Sequence, residues 1–420
     1  MNDLLDWLFV RQRFDLGLGR TKDLLALLGN PQDRFKSIIV GGTNGKGSTS
    51  ATLASILKSA GYKTALFTSP HLTYFSERFQ INGERIADAT IEETLREIKL
   101  LAEELEASFF EIVTALGCQL FADAGAEYAI MEVGMGGRFD ATNVLDPVLS
   151  IITGIALDHT KYLGDTPQQI AFEKAGILRP NKLALTGAKD GALGVIREQA
   201  RALEASLQVL DEDIHTTLHK VSWEGIDVSV NNPYGEVRVH SPLLGLHQVR
   251  NVALAVTAAQ ALSVSSNAIQ RGVSETQWAG RLEKILYHNR LFLLDGAHNP
   301  EAAEVVRDTF RALEVSPAVL LFGIAKDKEV ESVLKTLESI VSRVILTKAQ
   351  LSPRAAEPLE LAELSSKPHV LMPNLLEAIE HAISTTKPGD IILVAGSLYL
   401  IGEVRPYVLG EVGETFERYQ

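Results

Sequence analysis

At 420 residues the chain exceeds the size at which one hydrophobic core keeps growing, so two domains are expected. A hydrophobic content of 46% with 22% charged residues describes a globular protein, and a net charge of −13 lacks the basic footprint of a duplex nucleic-acid binder. The single cysteine, Cys118, excludes an intrachain disulfide and a cysteine-built zinc site, and it sits in an apolar run that reads as core.

The opening Met1-Asn2-Asp3-Leu4-Leu5-Asp6 places acids where a secretory signal carries basic residues. Every apolar run is interrupted before membrane-spanning length, so a cytoplasmic protein with no membrane partner is expected. Residues 38–41 then form a strand-like run, followed at once by Gly42-Thr43-Asn44-Gly45-Lys46-Gly47-Ser48. The glycines let the backbone curl with its N–H groups inward, an anion cradle backed by the start of a helix expected over 49–60. Lys46 adds a point charge for the outer phosphates, and Ser48 or Thr49 a hydroxyl for magnesium. The strict phosphate-loop pattern has Ser or Thr directly after the lysine. Here Gly47 intervenes, and the strand before and helix after carry the assignment to a nucleoside triphosphate.

Strand-like runs at 64–68, 128–133 and 149–153 alternate with helical stretches at 91–106 and 111–124, which implies a doubly wound, mainly parallel sheet of the P-loop type. Residues 216–240, split by Asn231-Asn232-Pro233-Tyr234-Gly235, read as an antiparallel hairpin at the edge of that sheet. A second rhythm follows. A strand at 290–294 leads through Asp295-Gly296-Ala297-His298-Asn299-Pro300 into a helix, and strand signals recur at 319–323, 343–347, 369–372 and 391–395. The expected division is 1–284 for the larger domain and 285–420 for a smaller Rossmann-like α/β domain.

Several residues carry candidate chemistry. Glu132 closes the run 128–133 beside Gly134-Met135-Gly136-Gly137-Arg138; it reads as a metal ligand at the carboxyl edge, or as a helix cap or ion-pair partner of Arg138. His159, in Leu157-Asp158-His159, follows 149–153 and is either a ligand at the same edge or a satisfied structural histidine. Lys174, in Glu173-Lys174-Ala175-Gly176-Ile177, reads by composition as a solvated charge; only burial would lower its pKa enough for it to act as a nucleophile or take up carbon dioxide. Asp295 and His298 form either an Asx turn with a helix cap or a ligand contact in an interdomain cleft.

In this order the motifs resemble the folylpolyglutamate synthase/dihydrofolate synthase family of ATP-dependent Mur-type ligases. The resemblance runs nearly end to end: the 42–48 loop, Thr68-Ser69-Pro70-His71-Leu72 with Glu77-Arg78 and Ile81-Asn82-Gly83, the 132–143 stretch, Leu157-Asp158-His159 and Glu173-Lys174-Ala175-Gly176-Ile177. It continues through Gly245-Leu246-His247-Gln248-Val249-Arg250-Asn251, Gly280-Arg281-Leu282-Glu283, the 295–300 turn and Gly396-Ser397-Leu398-Tyr399-Leu400. The family's loop carries the glycine at 47.

The resemblance implies that Gly42, Thr43, Asn44, Gly45, Lys46, Gly47, Ser48, Asn251, Arg281 and Asp295 contact ATP. It implies two magnesium ions, held by Ser48, Ser69, Glu132 and His159, and it makes Lys174 a carbamylated lysine (N6-carboxylysine). Lys46, Lys174, His159 and Arg281 are the implied catalytic set. Pro70, His71, Arg78, His298 and Ser397 are implied for folate or glutamate, with the 69–83 loop helping to form the folate site. The implied activity is ATP-dependent addition of L-glutamate to tetrahydrofolate and to dihydropteroate through an acyl phosphate, by a monomer. A monofunctional synthase of either kind is the nearer alternative; a switch ATPase without ligase chemistry is the more distant one. A ligase acting on a nucleotide-linked sugar would usually carry a further N-terminal domain, and a phosphate loop starting near residue 41 leaves no room for one.

Overall fold

A computed structural model of the chain describes residues 2–13 and 17–413. Its largest sheet has eight strands: β1 (Lys36–Gly41), β2 (Thr64–Phe67), β3 (Phe79–Ile81), β4 (Glu84–Arg85), β5 (Tyr128–Glu132), β6 (Leu149–Ile152), β7 (Leu183–Thr186) and β8 (Ser206–Val209). They lie in the order β4-β3-β2-β5-β1-β6-β7-β8, parallel from β2 through β8, with β3 and β4 antiparallel at one edge.

Helices cover both faces, which is why the central strands are apolar without interruption. Side-chain alternation sorts each strand between two cores. Ile39 of β1 joins Met131 and Ile152 on one face, while Ile38 and Val40 join Ile130 and Ile151 on the other.

The segment expected as an edge hairpin is instead a separate antiparallel sheet of three strands, β9 (His215–Ser222), β10 (Gly225–Asn232) and β11 (Gly235–Ser241), in the order β11-β10-β9. Its inner face, with Ile226, Val228, Val230, Val237 and Val239, packs into the core that holds the helices Lys46–Ser59 and Gln248–Ala261. Burial against those helices, rather than pairing at a sheet edge, satisfies this apolar face. A turn at Trp223-Glu224 separates β9 from β10.

A third sheet has six strands: β12 (Glu283–Tyr287), β13 (Arg290–Asp295), β14 (Val319–Phe322), β15 (Val344–Leu346), β16 (His369–Leu371) and β17 (Ile391–Ala395), in the order β12-β13-β17-β14-β15-β16. All pairs are parallel except β12 with β13. Among the described residues no helix is long and apolar enough to cross a membrane.

Candidate active site

The order β2-β5-β1-β6 sets four strand ends side by side, and the chain leaving each carries a motif. Paired strands lie about 4.8 Å apart, so the four ends span roughly 14 Å. The chain crosses from β5 on one side of β1 to β6 on the other, the kind of position at which open α/β sheets hold ligands. Ser69 follows β2, Glu132 ends β5, the 42–48 loop follows β1, and His159 follows β6. Ser69, Glu132, His159 and residues 43–48 of the loop line one cavity of about 1790 Å³, whose opposite wall includes Arg281, Asp295, His298 and Ser397.

The loop is held by its neighbours. Gly42 has φ 140°, and a Cβ there would fall 2.0 Å from Thr153 Oγ1, so glycine is required. Thr153 Oγ1 donates to Asn44 O at 2.6 Å, and Thr43 Oγ1 to Ala156 O at 3.1 Å. The helix begins at Lys46, three residues before its expected start, and Lys46 Nζ donates to Gly42 O and Thr43 O, each at 3.1 Å. Beside it runs a chain of amides: Asn251 Nδ2 donates to Gln248 Oε1 at 2.9 Å, and Gln248 Nε2 to Ser48 Oγ at 3.4 Å. The Asn44 side chain faces the C-terminal part, donating to Glu301 and accepting from Asn299 Nδ2 at 3.3 Å.

Glu132 is buried, and burial pushes its carboxyl up to about 7 against the opposing charges of Lys46, Arg281 and Arg78. Its Oε2 accepts the Ser69 N–H at 3.4 Å, while Ser69 Oγ is buried with no hydrogen-bond partner. Arg138, the alternative partner of Glu132, lies over the Phe172 ring and donates to Phe172 O at 3.2 Å. Desolvation, with Lys328 and Lys46 nearby, lowers the His159 pKa to about 4 despite the Asp158 carboxylate.

Lys174 is buried, not solvated. It ends the helix Pro167–Lys174, and its Nζ donates to Gly42 O at 2.9 Å. Desolvation, then the charge of Lys46, lowers its pKa to about 7. The Gly134–Arg138 stretch closes over it, with Arg138 N donating to Glu173 O at 2.8 Å. A Cβ on Gly137 would fall 2.9 Å from that same carbonyl, so the close approach of the two backbones needs glycine.

On the opposite wall, Asp295 is buried with both carboxylate oxygens engaged, Oδ2 by Leu282 N–H and Oδ1 by Ala297 N–H, each at 2.9 Å. The helix cap of this turn is Asn299, which accepts from Ala302 N at 2.9 Å. His298 Nδ1 lies 2.8 Å from Gly296 O, and Ser397 caps the helix Leu398–Leu409. Pro70 and Arg78 line the cavity. His71 is not among its lining residues; its Nδ1 accepts from Arg78 Nε at 3.0 Å, and its ring packs between Phe9 and Phe75.

Among the lining residues given no role from the sequence are Asp158, Lys328 and Phe110. Asp158 accepts from Lys328 Nζ at 2.9 Å, joining the two halves of the chain. Burial works against its ionisation, but His298, His159 and Lys328 together hold Asp158 well below the usual carboxylate range. The signal for Lys328 was its place just after the strand run 319–323. The signal for Phe110 was an aromatic pair opening a helix that starts with a capping box, Ser108 with Glu111.

Among the described residues, no group of three or more His, Cys, Asp and Glu side chains is gathered for a metal. Magnesium seldom uses such a cage. It keeps waters and takes one or two carboxylates together with substrate phosphates.

Residues 40–259 match the Mur ligase middle domain, and residues 280–398 match the Mur ligase glutamate ligase domain. The dihydrofolate synthase/folylpolyglutamate synthase of Bacillus subtilis (strain 168) is 34% identical, over 96% of this chain and 98% of that protein. The Mycobacterium tuberculosis folylpolyglutamate synthase complexed with ADP superimposes with a TM-score of 0.91 at 30% identity, over 98% of this chain and 99% of that one. E. coli FolC in complex with DHPP and ADP superimposes with a TM-score of 0.88 at 31% identity, over 97% and 98%. Two successive Mur ligase domains and relatives aligned from end to end establish that the chain belongs to the folylpolyglutamate synthase/dihydrofolate synthase family of Mur ligases.

Proposed function

We propose that this protein is an ATP-dependent carboxylate–amine ligase that joins L-glutamate to a folate, with tetrahydrofolate and dihydropteroate both serving as acceptors. The observation that carries the reading is the shared cavity: a phosphate loop, a buried carboxylate and Arg281 face the C-terminal turn 295–300 across it, with the buried Lys174 bonded to Gly42 O at the base of that loop. Its apolar wall of Phe109, Phe110 and Met135 suits a flat heteroaromatic acceptor. In this reading residues 1–284 bind ATP and folate, and 285–420 present glutamate.

A carboxylate is a poor acyl donor because oxide would have to leave. Transfer of the γ-phosphoryl group forms a carboxylate O–P bond, breaks the bond to ADP and gives an acyl phosphate. The glutamate amine attacks the acyl carbon, and phosphate departs with the C–O electron pair and leaves the amide. Catalysis then rests on positioning and on charge placed where the phosphoryl oxygens develop theirs. Lys46 exchanges the carbonyls of Gly42 and Thr43 for phosphate oxygens, with the loop amides beneath. Arg281, from the segment joining the domains, reaches the transferring group. Opposing walls from two domains exclude the water that would hydrolyse the intermediate.

The unpartnered buried Ser69 hydroxyl and the buried Glu132 carboxylate are donors that suit a hard cation. Ser48, Ser69, Glu132 and His159 would hold magnesium, two ions in all, which neutralises phosphate charge when bound. At a pKa of about 7 a substantial fraction of Lys174 is free amine, the form that adds carbon dioxide to give a carbamate and a proton.

The test is ADP release in the presence of ATP with acceptor and glutamate supplied singly and together. Release that needs both, with one glutamate added to each of dihydropteroate and tetrahydrofolate offered separately, supports the reading. Hydrolysis indifferent to both would make the protein a switch ATPase, and product from one acceptor alone would make it monofunctional.

A further inference from the structure

The loop after β2 does not belong mechanically to the sheet it leaves. Leu72 is 8% exposed and sits in the core of the C-terminal domain, among Ile285, Phe292, Leu400, Ile401 and Val404. Among the described residues, it is the one side chain from before residue 279 in that cluster. The fit is close: a Cβ on Gly280 would fall 2.8 Å from Ile401 Cδ1 and 3.1 Å from Leu72 Cδ2. Its neighbours reinforce the anchor. Thr73 Oγ1 donates to Gly402 O at 3.2 Å, within the helix Leu398–Leu409, and Tyr74 OH donates to Val412 O at 3.1 Å.

The same loop is stiff. Glu77 Oε2 accepts the N–H of Leu72 at 2.7 Å and of Thr73 at 3.0 Å, closing the turn on itself. Three residues before Leu72, Ser69 donates its N–H to Glu132 and turns its hydroxyl into the buried interior of the site. A displacement of Leu72 therefore reaches Ser69 with little chain between to absorb it.

We propose that Leu72 is a positioning residue: by seating in the C-terminal core it makes the placement of Ser69, Pro70 and Arg78 depend on how the second domain is docked. The Leu72 anchor is separate from the phosphate loop, which is held by Thr153 and Ala156 and meets the second domain through its own contact, Asn44 with Glu301 and Asn299. The Leu72 anchor thus bears on the acceptor side of the site, and its loss leaves the phosphate loop's own contacts in place. The inference rests on the ligase reading for its kinetic arm and on the fold alone for its exchange arm.

The experiment compares wild type, Leu72→Ala, Leu72→Met and Thr73→Val in the full chain. It measures initial rates against ATP, tetrahydrofolate and glutamate, ADP affinity by calorimetry, and amide hydrogen exchange of segments 69–78 and 41–48. A misplacement of about 1 Å costs on the order of a hundredfold in rate. Leu72→Ala is expected to lower kcat and raise the KM for folate by roughly tenfold or more in kcat/KM, with ADP affinity within about twofold of wild type. Exchange should quicken at 69–73 and stay unchanged at 41–48. Leu72→Met, which refills the space, should recover most of the rate, and Thr73→Val should show a weaker form of the defect. Unchanged kinetics with unchanged exchange at 69–73 would overturn the proposal, as would ADP affinity falling in step with kcat. Should Leu72→Ala not fold, Thr73→Val decides by the same criteria. Should wild type show no folate-dependent turnover, the ligase reading fails, and the exchange pattern alone decides the coupling.

Discussion

Asp158 and Lys328 meet across the cavity at 2.9 Å, their side chains only 15% and 14% exposed, and so tie the loop after β6 to the loop after β14. The pair sits between two candidate site residues: His159 Nε2 lies 3.7 Å and His298 Nε2 3.9 Å from Asp158 Oδ2. One carboxylate therefore lies within 4 Å of an imidazole from each domain.

Lys328→Met should loosen this junction by about 1.5–3 kcal/mol, the usual worth of a hydrogen bond to a charged group that ends largely desolvated. The pair Asp158→Asn plus Lys328→Met should cost less than the sum of the single changes, as measured by a double-mutant cycle in urea. Because the folded-state pKa of Asp158 is depressed, its contribution is fully present above the unfolded value near 4 and is lost only as pH falls below it. The coupling energy should therefore be flat from about pH 5 to pH 8; a coupling that vanishes within that window would remove the ion pair from the account.

Lys46→Ala should abolish ADP formation while leaving the melting temperature close to wild type. The side chain bonds only to carbonyls of its own loop, so its loss breaks no long-range contact. The expected fall in kcat exceeds about a hundredfold, the effect of removing one positioned electrostatic donor. Full ligase activity in the variant would refute its role.

If Lys174 is carbamylated as proposed, it links pH to activation. Its folded pKa of about 7 lies below the unfolded value, so the unfolded chain binds more protons between about pH 7 and pH 10, and stability attributable to this residue rises with pH across that window. Lys174→Met should lack that rise. With a pKa of about 7, the free-amine fraction climbs from about one tenth at pH 6 to about nine tenths at pH 8. Bicarbonate-stripped enzyme should therefore regain activity on adding bicarbonate, faster at pH 8 than at pH 6, and acetate should partly rescue Lys174→Ala. Absence of both responses would count against the carbamate and leave ATP binding intact.

What was legible in the sequence was local. The glycine spacing after an apolar run gave the phosphate loop, and the ends of the strand runs gave Glu132 and His159, because strand, turn and helix signals all lie within a dozen residues. Contacts between distant segments were not legible. The alternation in 215–241 is the same whether the segment edges a large sheet or stands as its own, and only packing on the helix Gln248–Ala261 decides between them. The burial of Lys174 depends on Gly42, 132 positions away, and nothing in the helix around it marks that partner. Leu72 reads as any loop leucine until the C-terminal core is assembled around it.

Gly47 illustrates the same limit and can be tested. The residue interrupts the strict phosphate-loop pattern, but its φ is ordinary, so backbone freedom does not explain it. The linker does: a Cβ at Gly47 would fall 2.6 Å from Trp278 Cζ2 and 2.9 Å from its Nε1. The indole of the segment leading into the second domain rests directly on the first turn of the loop's helix. Gly47→Ala should therefore force the ring aside and cost about 1–3 kcal/mol, as overpacking of a filled site does, and it should also weaken nucleotide binding as the first helical turn shifts. Trp278→Leu in the same chain should return most of both losses by making room for the methyl group. If Gly47→Ala weakens nucleotide binding equally with and without Trp278, the glycine serves the phosphates directly and its contact with the linker is incidental.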